Sequence, residues 1–346
     1  MLLDAFENQA ISCRRLDSPF MGRLFETLGA IWPNGTALAS KLARFEGDIG
    51  PSGHSLPLRL AGGLHALVLN GADPALGQIY PPNEPDEETF AAGILSALAR
   101  NEAFLLDWVD SPPQTNEVRR SAVLIAGANV ATSYHDLPIS LSELGASGGL
   151  NLNWDRFDLN VNGTVFAGTD PVLTLVPDWQ GPQPPKRRPV VAERAGVDLN
   201  PLDPTDPDAL LRLTAYLWAD QPERIARTRA AAAMQTTRVE RGDAIDWLAG
   251  RLQAAPDGHL HLIQHTVAWQ YFPQAVQERG TALIEEAGQA ATSDRPLAWL
   301  AMETDGDKTG GIGAAITLRI WPENLSLSLG RADFHGRWIR WTAPNI

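Results

Sequence analysis

The chain has one cysteine, Cys13, in 346 residues, so an intrachain disulfide and a four-cysteine zinc site are both excluded. Basic charge is scarce: 28 Lys and Arg against 41 Asp and Glu give a formal net charge of −13. A nucleic-acid backbone is gripped by clustered cations. The one basic run, Lys186-Arg187-Arg188, sits in a proline-rich stretch and reads as a solvated loop, so no nucleic-acid partner is expected. A long apolar run is missing too, and the N-terminus carries Asp4 and Glu7. Neither a signal peptide nor a membrane span is visible, so no membrane partner is expected and the cytoplasm is the expected compartment. An acidic protein of this kind suits small molecules, or basic protein surfaces, and a small-molecule substrate is expected. The remaining composition, 44% hydrophobic and 20% charged, leaves ample apolar surface for a core.

The patterning favours two domains, residues 1–120 and 121–346. In the first, Ser18-Pro19 pairs an N-cap with proline at N1, and Phe20, Leu24, Phe25, Leu28 and Ile31 then share one face until Pro33-Asn34-Gly35. Asp86-Glu87-Glu88 opens a second helix, read through Phe90, Ile94, Leu98 and Leu105 to Trp108. No strong strand stands out there, which predicts a helical domain, expected to lie over the cleft of the second.

Beyond residue 120 strands alternate with helices, which predicts an α/β fold with a mostly parallel sheet. Strands are expected at 138–143, 189–198, 237–240, 259–265, 296–302 and 314–321, with antiparallel hairpins at the C-terminus. Residues 157–161 and 164–167 flank Asn162-Gly163, the pair that most readily takes positive φ at both turn positions, so a hairpin is expected there. This hairpin and the proline-rich stretch after it form an insertion at about 156–189.

The segment Glu143-Leu144-Gly145-Ala146-Ser147-Gly148-Gly149 lies between a strand and a short helical segment. Small residues there allow a sharp turn and let a ligand approach the backbone, while the following helix start presents free N–H groups. The acid before this loop resembles the first motif of class I S-adenosylmethionine (SAM) methyltransferases. Asp198, in Gly196-Val197-Asp198, resembles the acid of their second motif, and Gly242-Asp243-Ala244 resembles the third. That resemblance implies a Rossmann-like methyltransferase core, with SAM as cofactor. It implies Glu143, Gly145, Ser147 and Gly149 near the cofactor's amino-acid part, Asp198 at the ribose hydroxyls and Asp243 at the adenine amine.

The whole chain also resembles the bacterial domain-of-unknown-function family 2332, most recognisably at Gln114–Glu117, the glycine segment, Arg194–Pro204, Trp218–Arg224, His265–Tyr271 and His335–Trp341. Two features depart from the methyltransferase pattern. Ser147 replaces the middle glycine, and Glu143 and Asp198 are farther apart than the ~20 residues of a dinucleotide fold. The insertion accounts for the excess.

Methyl transfer needs alignment of the acceptor and sometimes a base. His265, ending the fourth core strand, is the candidate catalytic base, although a core histidine is the plainer alternative. Trp269 and Tyr271 offer aromatic faces to a cation, against an ordinary packing role. Glu303, ending the next strand, is a candidate for a polar substrate group. His335 is expected to enter the cleft from the C-terminal hairpins. Asn116 and Glu117, at the domain junction, are candidates for closing over the substrate. No metal site is expected.

Two other readings use the same residues. Gly145-Ala146-Ser147-Gly148-Gly149 fits the G-x-S-x-G nucleophile elbow of α/β serine hydrolases, with Asp243 or Asp246 and His335 completing a triad. Against it, Glu143 is a costly charge in a buried strand. The third reading is a non-catalytic ligand-binding or interaction protein on the methyltransferase fold.

Overall fold

The computed structural model describes residues 2–50, 53–306 and 312–343. The chain divides into two units, Met1–Thr115 with Asp206–Arg229, and Asn116–Thr205 with Ala230–Ile346.

The first unit is helical, with helices at Leu2–Arg15, Pro19–Ile31, Ala37–Leu42, Leu56–Leu69, Pro74–Gly77, Glu87–Arg100 and Glu102–Trp108. The Ser18 hydroxyl accepts from Met21 N and so caps the second helix, as its sequence predicts. The long helix expected from Asp86 to Trp108 breaks at Asn101, whose side chain donates to Asp73 at 2.7 Å instead of continuing a helical surface. This unit also takes in residues 206–229, beyond the boundary near residue 120 that the sequence pattern predicts. Their helix Pro207–Ala215 packs on Leu56–Leu69, and Tyr216 lies 6.0 Å from Trp108. Leu24, Phe25, Leu28, Leu60, Phe90 and Trp218 are among the residues of its core.

The second unit is α/β, with a large sheet that is parallel over its central strands and antiparallel towards the C-terminus. In chain order its strands are β1 (Ile139–Leu144), β2 (Phe157–Val161), β3 (Thr164–Phe166), β4 (Leu173–Leu175), β5 (Asp178–Gln180), β6 (Val191–Asp198), β7 (Glu240–Arg241), β8 (Leu260–Thr266), β9 (Leu297–Glu303), β10 (Ala314–Trp321), β11 (Leu325–Ala332) and β12 (Trp338–Trp341). Nine of them form one sheet in the order β5-β12-β11-β10-β9-β8-β1-β6-β7. From β9 to β7 every pairing is parallel, whereas β9 to β12 run antiparallel in succession. β3-β2-β4 form a separate small sheet, and its Asn162-Gly163 turn takes φ of +50° and +89° as the hairpin requires.

β1 and β8 are buried along their whole length, as expected of parallel strands covered on both faces. The helices Ala244–Gln253 and Gln274–Gln289 pack Leu248 and Ile284 against Leu144, Val197 and Ile263. The helix Ser121–Tyr134 approaches Leu300 so closely that a Cβ at Gly127 would lie 2.6 Å from its methyl carbons. Among the described residues, no helix is long and apolar enough to cross a membrane.

Candidate functional site

In an open parallel sheet, ligands bind beyond the carboxyl ends of the strands, where neighbouring crossovers run in opposite directions. Here that point lies between β1 and β8, because β1 is followed in the chain by β6 on one side and β8 lies on the other. The glycine loop leaves β1 at this edge. Gly145, Ser147 and Gly149 all have positive φ, at +67°, +54° and +72°. A Cβ on Gly145 would come within 2.5 Å of the Ala268 Cβ in the loop after β8, so glycine is required there by fit as well as by φ.

The loop is tied to its surroundings by polar groups. The Asp198 carboxylate, at the end of β6, accepts Ser147 N at 2.9 Å and Asn200 N at 2.8 Å. Asn116 Oδ1 accepts Leu150 N at 2.8 Å. The Ser147 hydroxyl is buried and has no hydrogen-bond partner among the described residues.

Glu143 is 3% exposed. Gln264 Nε2 donates to its Oε2 at 3.2 Å. Burial pushes the Glu143 carboxyl up to about 8; the Gln264 bond and the Arg120 charge oppose this, and the Asp198 charge adds to it. The side chain therefore favours its neutral form at pH 7. Gln264 is itself fixed, since its Oε1 accepts Trp154 Nε1 at 3.0 Å and its Nε2 also reaches Asn151 O at 3.4 Å. Asn151 accepts the Ser121 hydroxyl at 2.7 Å and donates to Glu117 O at 3.3 Å. The Glu117 carboxylate is buried and accepts Arg119 N. Arg120 donates to Phe334 O and Thr266 O, tying the C-terminal hairpins to the end of β8. Gln264, Asn151 and Arg120 carry no motif. A glutamine inside the buried strand Leu260–Thr266 was the available signal, since a buried amide demands partners.

His265 is 1% exposed and inward-bonded. Trp299 Nε1–H donates to its Nε2 at 2.8 Å, which assigns the ring proton to Nδ1, 2.8 Å from Glu303 Oε1. Both ring nitrogens are thus engaged, and neither is free to take a proton from a substrate in this arrangement. The ring stacks on Trp269 at 5.0 Å. Glu303 also accepts Ala268 N, Trp269 N and Gln270 N, so its carboxylate anchors the loop after β8. Burial works to raise this carboxyl, but the His265, Ala268 and Trp269 bonds outweigh it and hold it below the usual carboxylate range. The anchored loop includes Val267 at φ +53°, a costly conformation for a β-branched residue and one that clusters at functional sites.

The other candidates are dispersed. Asp243 caps the helix Ala244–Gln253 through Ile245 N and Asp246 N, and pairs with Arg279 at 2.8 Å. Tyr271 is 66% exposed. His335 N donates to Asp333, whose carboxylate also binds Arg337. No bond joins Ser147 to a histidine among the described residues. None of those residues forms a group of three or more His, Cys, Asp or Glu able to hold a metal ion.

Residues 3–341 match a protein family described as "Uncharacterized protein conserved in bacteria (DUF2332)", and the chain belongs to that family. Comparison with curated proteins finds no match.

Proposed function

We propose that this DUF2332 chain is a SAM-dependent methyltransferase acting on a small or medium-sized molecule. The observation that carries the reading is the Ser147 N to Asp198 bond, which joins the glycine loop after the first parallel strand to the acid ending the second. The parallel strands, numbered in chain order, stand 3-2-1-4-5, the order of one dinucleotide-binding half plus its neighbours. The polar residues fit the ligand in charge as well. Glu143 is a buried carboxyl that favours its neutral form and has no ion-pair partner among the described residues, which suits it to receive an ammonium group, and the Ser147 hydroxyl lacks a partner among them too. Glu143 and the loop Gly145–Gly149 would hold the amino-acid end of SAM, and Asp198 the ribose hydroxyls. The bound cofactor supplies an electrophilic methyl group. The chain's contribution is alignment and exclusion of water. His265 and Glu303 act by fixing the loop after β8, and Asp243 is committed to its helix and to Arg279.

Calorimetric titration with SAM and S-adenosylhomocysteine tests this. Asp198→Asn keeps one acceptor oxygen but removes the charge, and weakens binding by about ten- to a hundred-fold. No heat with either ligand, together with no thermal shift at saturation, contradicts the proposal.

The inward bonding of His265 and Glu303 favours a second reading, a ligand-binding protein without turnover. SAM binding with no methyl transfer across broad acceptor panels would support it. A serine hydrolase has the positive φ of Ser147 in its favour but lacks a histidine bonded to the hydroxyl.

A further inference from the structure

Arg187 and Arg188 line a cavity of about 200 Å³ whose wall includes Trp154, the donor to Gln264, but neither Glu143 nor any residue of the glycine loop. Its apolar wall is made by Ile125, Trp154, Phe157 and Phe166, all buried. Arg187 is pinned at the rim: its N donates to Asn129 Oδ1 at 2.9 Å and its Nε to the Ser133 hydroxyl at 3.3 Å. Among the described residues, Arg187 has no carboxylate partner, and Arg188 has no hydrogen-bond or ion-pair partner. The one carboxylate among the lining residues, Asp155, is already committed. Asp155 is held by both guanidinium nitrogens of Arg194 at 2.8 and 2.9 Å, and Asp158 accepts Gly168 N at 2.9 Å. In a chain of net charge −13, two guanidinium groups without carboxylates beside an aromatic cavity form a local positive site.

We propose that this cavity binds a small organic anion, with its apolar body against Trp154, Phe157 and Phe166 and its carboxylate or phosphate at Arg187 and Arg188. The volume is below the roughly 300–1,000 Å³ of pockets for drug-sized ligands, so the ligand is small. Guanidinium favours planar oxyanions because its donors match them in pairs. The site does not depend on the methyltransferase reading.

The test is ligand-observed NMR titration of the full chain with benzoate, with benzamide as the uncharged isostere and inorganic phosphate as an anion without an apolar body. Saturable benzoate binding is expected, with both controls at least about ten-fold weaker. Arg188→Gln, at an exposed position, weakens benzoate binding about ten-fold or more. Ala167→Trp, which adds bulk at the exposed rim, abolishes it. Absence of saturable benzoate binding overturns the proposal, as does equal binding of either control or unchanged affinity in both variants. SAM titration of the same variants leaves the cofactor reading to stand or fall separately.

Discussion

Gln264 Nε2 donates to Glu143 Oε2 at 3.2 Å, and this bond, with the Arg120 charge, limits the cost of burying that carboxyl. The glutamate therefore holds its proton in the fold to a pH far above its ordinary value of 4.5. A carboxyl whose folded value is raised to about 8 gives stability that is complete below 4.5 and lost as pH rises through 8. Glu143→Gln has no proton to lose. In urea denaturation the variant is expected to gain on the wild type as pH rises, by about 3 kcal/mol between pH ~4.5 and ~7. A difference independent of pH would show that the carboxyl is already ionised.

The same neutral carboxyl predicts a proton linkage to cofactor binding. An ammonium group placed beside Glu143 favours the carboxylate and expels its proton. Calorimetry of SAM binding near pH 7, in buffers of different ionisation enthalpy, should report release of about one proton. Glu143→Gln should bind more weakly and release none. Equal release by both proteins would move the ammonium elsewhere.

Gly145 and Ala268 touch across the ends of β1 and β8. Gly145→Ala should destabilise by about 1–3 kcal/mol, from the positive φ and from a Cβ within contact of Ala268. Ala268→Gly in the same chain removes the clash but not the φ cost. A double-mutant cycle should therefore give a favourable coupling of about 0.5–2 kcal/mol. Additive effects would mean that the two loops move apart freely.

Glu303 is held in the opposite sense from Glu143. Its folded pKa is depressed, so its stability is present above the ordinary carboxylate range and lost as pH falls through the folded value. Glu303→Gln should cost about 1–3 kcal/mol at neutral pH, because His265 Nδ1 and the Ala268 and Trp269 amides lose a charged acceptor. The cost should shrink in acid. A constant cost across the range, measured by denaturant titration, would contradict an ionised Glu303 accepting from His265.

The strands and the glycine loop were legible because local chemistry encodes them. Acids at or beside the strand ends, Glu143, Asp198 and Glu303, mark β1, β6 and β9, and Asn162-Gly163 marks the insertion hairpin. The helix Ser121–Tyr134 was not legible: all but its last two residues are buried, so it lacks the polar face that gives a helix its period. β5 is three residues in a proline-rich stretch and exists through its pairing with β12. The break at Asn101 rests on Asp73, distant in sequence. At the site, residue types located the strand ends, but bonding decided the roles. The proton position on His265 depends on Trp299, and the ionisation of Glu143 on burial and Gln264, which no spacing specifies.

The crystal structure of the chain with S-adenosylhomocysteine tests the central claim most directly. The account predicts density beyond the carboxyl ends of β1 and β6, with a ribose hydroxyl within ~3 Å of an Asp198 carboxylate oxygen and the ammonium beside Glu143. Crystals grown at saturating ligand that show those strand ends empty, or the ligand bound away from both acids, would contradict it.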